Sequence, residues 1–321
     1  MSSAPRIVIH QNFAADFTKA MAAVPHTLRT IKDQNDAEMA RLLAETDVLV
    51  HGAFKGAWRA PDCAVRLVHC TGAGTDGIEF AAVPPGGTVC NVYGHERGVA
   101  EQAFMHMLAL HKGLLSLDRN LRQGHWTPSR PYMPELRDYN LLILGLGHIG
   151  RELVRFGEFF GMNVTVLTRT ADASRAAGLN LKAFGGLDQL PQYLSSADFV
   201  VSAIPAAAGT VDLIGAKELA LMKPTAFIVN VGRGPVINEE ALYHALKDHR
   251  IAGAGLDVWW QYPALGQNRE PSRFPYGQLD NVVMTPHKPT FETMTFRWKE
   301  IALNIQRFVR GEPLVNVVHR G

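Results

Sequence analysis

Short apolar runs alternate with stretches of helical periodicity along nearly the whole chain. Residues 6–10 (Arg-Ile-Val-Ile-His) predict a strand, residues 13–24 a helix, and residues 26–30 a short strand. Residues 36–44 predict a helix, because Ala37, Ala40, Leu43 and Ala44 fall at helical spacing. Strands over 47–50, 66–70 and 88–91 come next, and residues 98–117 predict one long, mostly apolar helix whose Phe104 and Met107 are core. From residue 141 the alternation resumes. It predicts strands over 141–144, 164–167, 197–202, 226–230, 254–258 and 281–284, with helices to about 160 and over 187–193, 216–222, 239–248 and 291–309. Strands alternating with helices predict an α/β fold of Rossmann-like, doubly wound parallel sheets covered on both faces, with the first ~100 residues a small domain of their own.

The most informative stretch lies between the strands at 141–144 and 164–167. Gly145-Leu146-Gly147-His148-Ile149-Gly150 follows a strand and opens a helix, the context in which a glycine turn holds a dinucleotide. Gly145 permits the tight turn, Gly147 lets backbone approach a pyrophosphate, and Gly150 lets helix and sheet close together. The helix N-terminus offers N–H groups and a positive dipole end to the phosphates. At the end of the second strand, Thr168-Arg169-Thr170 stands where an NAD site places a carboxylate for the ribose 2′-hydroxyl. A guanidinium flanked by hydroxyls suits a 2′-phosphate, so the expected cofactor is NADP. NAD stays open, because Asp172 is near enough in sequence to serve the hydroxyl.

Composition narrows the class. The chain has 321 residues, 47% hydrophobic and 19% charged, and a formal net charge of +2. That fits a two-domain globular enzyme and argues against nucleic-acid binding. Cys63, Cys70 and Cys90 form no CxxC pair and are odd in number, which points to a reducing, cytoplasmic setting with the thiols as small buried hydrophobes. No metal site is expected. The first residues run into a strand with no signal-peptide core, and no apolar run approaches the ~20 residues of a membrane span.

Three titratable residues fall at the ends of successive predicted strands: Arg233, Asp257 and His287. In doubly wound sheets those ends face the ligand crevice. An arginine there holds a carbonyl and an adjacent carboxylate, a histidine gives a proton to a new alkoxide, and an aspartate accepts from a carboxamide. The glycine-dense turn from Thr71 to Gly77, also at a strand end, presents bare N–H groups suited to a carboxylate.

With these residues in view, the chain resembles the D-isomer-specific 2-hydroxyacid dehydrogenase family, which includes glyoxylate/hydroxypyruvate reductases and phosphoglycerate dehydrogenase. The resemblance runs from about Arg66 to the C-terminus: the Thr71–Asp76 turn, Asn91 with Val99-Ala100-Glu101, Gly145 to Gly150, Ile204-Pro205 with Thr210, 219–224 (Leu-Ala-Leu-Met-Lys-Pro), 230–234 (Asn-Val-Gly-Arg-Gly), Leu256-Asp257-Val258 and Thr285-Pro286-His287. It implies a discontinuous substrate domain of residues 1–98 plus 289–321, a dinucleotide-binding Rossmann domain of residues 99–288, and a homodimer formed largely through the latter. It further implies that Arg233 binds a 2-oxo acid, His287 donates the proton, Ala73 and Gly74 offer N–H groups to the substrate carboxylate, and Asp257 holds the carboxamide. The cofactor contacts would come from the glycine turn with His148 and Ile149, from Thr168, Arg169 and Thr170, and from Ile204, Pro205, Thr210 and Val231.

The chain departs from the family where a glutamate usually precedes a proline and pairs with the histidine. Here the sequence is Trp259-Trp260-Gln261-Tyr262-Pro263, so Tyr262 takes that place, with Gln261 and the downstream Glu270 as alternatives. His95 and Arg97 are expected either to reach the far end of the substrate or to lie in solvent, and Lys288 after the histidine is also unusual. The expected function is an NAD(P)-dependent oxidoreductase. It moves a hydride between nicotinamide and C2 of a small 2-oxo or D-2-hydroxy acid, glyoxylate or hydroxypyruvate by resemblance. The alternative is a non-catalytic dinucleotide sensor of the same fold.

Overall fold

A computed structural model describes residues 4–32, 34–126, 134–263, 268–287 and 292–321, with side chains from residue 295 onward in the last segment. The chain divides into two units, residues 1–95 with 290–321, and residues 96–289.

The first unit is built on a six-stranded sheet. Its order is Val317–Arg320, Thr88–Cys90, Leu67–His69, Val48–Val50, Arg6–His10, Thr27–Ile31. All neighbours are parallel except the edge strand Val317–Arg320, which runs antiparallel to Thr88–Cys90. Side chains alternate between two cores, as strand geometry requires. Ile7, Ile9, Val48 and Val50 face Phe17, Met21 and the C-terminal helix Glu292–Arg310 through Trp298, Ile301 and Ile305. Val8, Leu49 and Val68 face Met39, Leu43, Phe54 and Trp58. The C-terminal helix thus belongs to the sheet of the first residues.

The second unit carries a seven-stranded sheet, all parallel, in the order Ala183–Gly186, Asn163–Thr168, Asn140–Leu144, Phe199–Ser202, Phe227–Asn230, Gly253–Leu256, Val282–Met284. The strand order reverses beside Asn140–Leu144, so the crevice of a doubly wound sheet opens at its carboxyl end. Leu141 and Ile143 pack on one face against Phe104, Leu153 and Val154, while Leu142 and Leu144 pack on the other against Leu190, Leu219 and Leu242.

The doubly wound α/β class expected from the sequence is the class observed. Four elements differ in detail. The long helix expected over 98–117 is two helices, Glu96–His111 and Leu114–Arg122. Gly113 between them takes φ +65°, a left-handed conformation that ends a helix and that glycine adopts without a Cβ clash. The first expected helix is the shorter Ala14–Ala20, preceded by a 3₁₀ turn over Gln11–Phe13. The strands Ala183–Gly186 and Val317–Arg320 carry too little apolar alternation to be read from sequence. Among the described residues, no helix is long and apolar enough to cross a membrane.

Candidate active site

The glycine turn joins strand Asn140–Leu144 to helix His148–Phe159. Gly145 takes φ +103°, and a Cβ there would lie 2.7 Å from Ile204 Cγ2. A Cβ at Gly150 would collide with the Gly145 carbonyl, so the helix can start only where it does if that residue is glycine. A Cβ at Gly147 would meet nothing within 4 Å. Two glycines therefore close the turn, and the third leaves open space at the helix N-terminus, where phosphate oxygens would meet backbone N–H groups. Gly147, the N-cap, brings no side chain to those groups. This cradle fits a dinucleotide. His148 Nδ1 lies 3.5 Å from Glu96 Oε1, and Ile149 packs toward the core.

At the end of strand Asn163–Thr168, Thr168 is buried and its hydroxyl donates to the Thr170 carbonyl at 2.8 Å, which fixes the turn; Arg169 and Thr170 are exposed. Asp172 Oδ1 accepts from the Ser174 N–H at 2.9 Å and caps the 3₁₀ turn Ala173–Ala176. The hydrogen bonds from Ser174 hold its carboxyl below the ordinary carboxylate range. Arg175, on that turn, donates to the Leu146 carbonyl at 3.0 Å, which brings a guanidinium onto the glycine turn. Sequence reasoning alone misses Arg175, because its position depends on the fold of the turn rather than on a motif.

The loop after strand Phe199–Ser202 carries buried Ile204 and exposed Pro205. Thr210 is buried, and its hydroxyl donates to the Pro205 carbonyl at 2.7 Å and accepts from the Ala207 N–H at 2.8 Å. It holds the loop closed. Val231 is buried at the end of Phe227–Asn230. Asn230 braces the next three residues, its side chain accepting from the Gly232 N–H at 3.1 Å and donating to the Arg233 carbonyl at 2.9 Å. The half-buried Arg233 side chain donates from Nη1 to the Gly232 carbonyl at 2.8 Å.

Asp257, at the end of Gly253–Leu256, is 2% exposed and accepts from the Thr285 hydroxyl at 2.6 Å. Two residues beyond Thr285, His287 is exposed and takes φ +51°, a backbone region that residues other than glycine enter seldom. Tyr262 lies against it, ring centroids 5.5 Å apart and tilted by 49°. The Tyr262 hydroxyl oxygen accepts from the Trp259 N–H at 3.2 Å, and Trp259 Nε1 donates to the Thr285 carbonyl at 2.9 Å. Glu270 is exposed; the chain beside it returns to this loop, where the Gln261 N–H donates to the Pro271 carbonyl at 3.0 Å. Lys288 lies outside the described residues. Arg233, Asp257 and His287 thus come after three adjacent parallel strands, at the same sheet edge as the glycine turn.

In the first unit, the turn with Ala73 and Gly74 comes after Leu67–His69. Asn91 Nδ2 donates to the Ala73 carbonyl at 2.9 Å, and Arg297 Nη1 to the Thr71 carbonyl at 3.3 Å. A Cβ at Gly94, φ +107°, would collide with the Phe296 ring, so this glycine is required where the helix packs. His95 is half-buried beside it. Arg97 is exposed, paired with Glu101 at 3.2 Å one turn on. Among the described residues no group of three or more His, Cys, Asp or Glu is placed to hold a metal.

A parallel doubly wound sheet with a glycine cradle and an Arg, Asp, His row at its carboxyl edge defines a nicotinamide-dinucleotide-binding fold. Residues 104–288 match the family described as D-isomer specific 2-hydroxyacid dehydrogenase, NAD binding domain. The chain is 32% identical over 259 residues to a D-3-phosphoglycerate dehydrogenase of Methanocaldococcus jannaschii, covering 79% of this chain and 48% of that protein. It is 34% identical over 224 residues to a glyoxylate reductase of Pyrococcus furiosus, covering 66% of this chain and 63% of that one. The chain therefore spans between about half and two thirds of the curated relatives it matches. A solved D-isomer specific 2-hydroxyacid dehydrogenase family protein of Aeromonas salmonicida superposes with a TM-score of 0.80 at 29% identity, over 99% of both chains. The chain belongs to the D-isomer specific 2-hydroxyacid dehydrogenase family.

Proposed function

We propose that this protein is a reductase of small 2-oxo acids that yields D-2-hydroxy acids and prefers NADPH to NADH. The observation that carries the reading is the row Arg233, Asp257, His287 after adjacent strands at the edge that bears the glycine cradle. A bound nicotinamide supplies the hydride. Arg233 holds the carbonyl and carboxylate oxygens of the substrate in one plane, as a guanidinium fork does. His287 hands a proton to the C2 oxygen as negative charge develops there. Tyr262, ring against ring, orients the imidazole in place of a carboxylate. Asp257 accepts from the carboxamide, and the N–H groups of Ala73 and Gly74 serve the substrate carboxylate.

The preference for NADPH is supported by exposed Arg169 at the strand end and by Arg175 over the glycine turn. Asp172, the carboxylate that could serve the ribose hydroxyl, accepts from the Ser174 N–H in its own turn. Glyoxylate and hydroxypyruvate are the first substrates to try, in line with the glyoxylate reductase relative. We further propose a homodimer. Helix Leu114–Arg122 buries none of its residues, and Leu114, Leu121 and Trp126 expose 56%, 56% and 87% of their surfaces, an apolar face of the kind that subunit contacts cover. A monomeric mass by light scattering would remove the dimer.

The test is oxidation of NADPH and NADH against a panel of 2-oxo acids. Turnover with NADPH favoured at least tenfold is expected, and Arg169→Ala should erase most of that preference. Tight cofactor binding with no turnover on any acid would instead identify a dinucleotide sensor.

A further inference from the structure

Below the strand ends, a buried polar cluster joins helix Glu96–His111 to Asp257. Thr285 is its hub, and each of its polar groups is used. Its N–H donates to the Leu256 carbonyl at 2.9 Å, and its carbonyl accepts from Trp259 Nε1 at 2.9 Å. Its hydroxyl donates to Asp257 Oδ1 at 2.6 Å, accepts from Gln102 Nε2 at 2.9 Å, and lies 3.1 Å from His106 Nε2. His106 is fully buried, and among the described residues its Nδ1 has no hydrogen-bond partner.

Asp257 settles the direction of the hydroxyl proton. An ionised carboxylate only accepts, so the single hydroxyl hydrogen of Thr285 points to Asp257. The hydroxyl lone pairs then face Gln102 Nε2, which donates, and the His106 imidazole, whose Nε2 also lies 3.3 Å from Gln102 Nε2. Of the two neutral tautomers, the one protonated on Nε2 donates to Thr285 and leaves a bare Nδ1 lone pair, cheaper to bury than a bare N–H, while the other accepts at Nε2 from Gln102. Burial lowers the pKa of His106, against a smaller upward pull from Asp257, so the ring stays neutral. Rotating the hydroxyl would break its bond to Asp257 and the one from Gln102.

The strand is built to admit the ring. A Cβ at Gly255 would lie 2.6 Å from His106 Cβ and 2.9 Å from its Nδ1. Glycine two residues before Asp257 and histidine at position 106 are therefore one coupled choice.

We propose that His106 and Gln102 are positioning residues: they lock the Thr285 hydroxyl as a fixed donor to Asp257 and so preset that carboxylate to receive the nicotinamide carboxamide. The inference rests on the cofactor reading given above. Neither residue touches a reacting atom. Their effect is on the cofactor's nicotinamide end, with the adenosine end untouched.

That separation gives the test. Affinities for NADPH and for 2′-phospho-ADP-ribose, which lacks the nicotinamide, are measured by calorimetry on wild type, His106→Leu, Thr285→Val, the double variant and Gly255→Ala. His106→Leu and Thr285→Val should each weaken NADPH about tenfold and leave the fragment within about twofold, with the double variant no worse than Thr285→Val alone. Gly255→Ala should reproduce the loss without removing a polar group, and His106→Gln should restore part of it. Equal losses for both ligands would show a merely structural role, and unchanged NADPH affinity would show no role; either overturns the inference. A wild type that binds the fragment but gains nothing from the nicotinamide would also overturn it. A wild type that binds neither ligand would remove the cofactor reading itself.

Discussion

Tyr262, expected from the sequence to take the place of the family's glutamate, lies ring against ring with His287, and its consequence is a matter of charge. A phenol beside His287 orients the ring and contributes no negative charge to favour the imidazolium. Tyr262→Glu would supply that charge at the same place. The upper limb of the pH–rate profile for reduction should then move to higher pH by about one unit. An unmoved profile would mean that residue 262 does not face the proton donor during turnover. The residues that carry charge at strand ends were legible in sequence, because Arg233, Asp257 and His287 stand directly after apolar strands. The residues that aim them were not. Arg175 reaches Leu146 only because a 3₁₀ turn folds back, and His106 reaches Thr285 across 179 residues of sequence. Thr168 and Thr210, expected as cofactor contacts, spend their hydroxyl hydrogens on nearby carbonyls, which sequence spacing does not reveal.

At the scale of elements, the loop after strand Gly253–Leu256 must be held if Tyr262 is to stay against His287. A clamp does this from helix Glu239–Lys247. Glu239, 5% exposed at the first position of that helix, accepts from the Ser272 hydroxyl at 2.8 Å, the Arg273 N–H at 2.7 Å and Arg273 Nε at 2.6 Å. Tyr276 donates to the Glu239 carbonyl at 2.6 Å and stacks on Trp260 at 5.4 Å. Burial alone would raise the Glu239 carboxyl, but the donors from Arg273 and Ser272 hold it below its ordinary value near 4.5. A carboxylate with a depressed folded pKa stabilises above its unfolded value and loses that contribution as pH falls through the folded one. Glu239→Ala should therefore cost about 2 kcal/mol at pH 7, measured by denaturant unfolding, and the gap to wild type should narrow below about pH 4. A gap that does not depend on pH would assign the cost to packing. Glu270, the sequence alternative to Tyr262 for the place of the family's glutamate, is exposed beside this clamp, while the buried acid of the loop's mooring is Glu239. The sequence pattern showed that the loop was long, but not which helix would moor it.

Across the whole molecule, the alternation of apolar runs was sufficient to predict the doubly wound class, because buried parallel strands must be apolar on both faces. It did not show the antiparallel edge strand Val317–Arg320, whose side chains are half-exposed or exposed. Several histidines fold neutral, and this sets a pH limit. His69 is 1% exposed, its Nδ1 3.0 Å from the Cys70 carbonyl and its Nε2 3.1 Å from Asn304 Nδ2, and burial pushes it down to about 4 from 6.5. Burial lowers His51 and His106 in the same direction. The unfolded chain then binds more protons than the folded one between those values, so stability falls as pH drops from about 6.5 toward 4, by about 3 kcal/mol for His69 alone. His69→Gln should flatten the thermal-unfolding midpoint over that window, and an equal slope in the variant would place the acid limit elsewhere. The proposed reduction of a 2-oxo acid would pair a hydride from bound nicotinamide with a proton from His287. Single-turnover oxidation of bound NADPH by glyoxylate and by hydroxypyruvate, in wild type and His287→Ala, tests that pairing most directly. Hydride transfer is predicted in wild type and a rate at least a hundredfold lower in the variant, with NADPH affinity within about twofold. Equal rates in the two proteins would contradict a proton-donor role for His287.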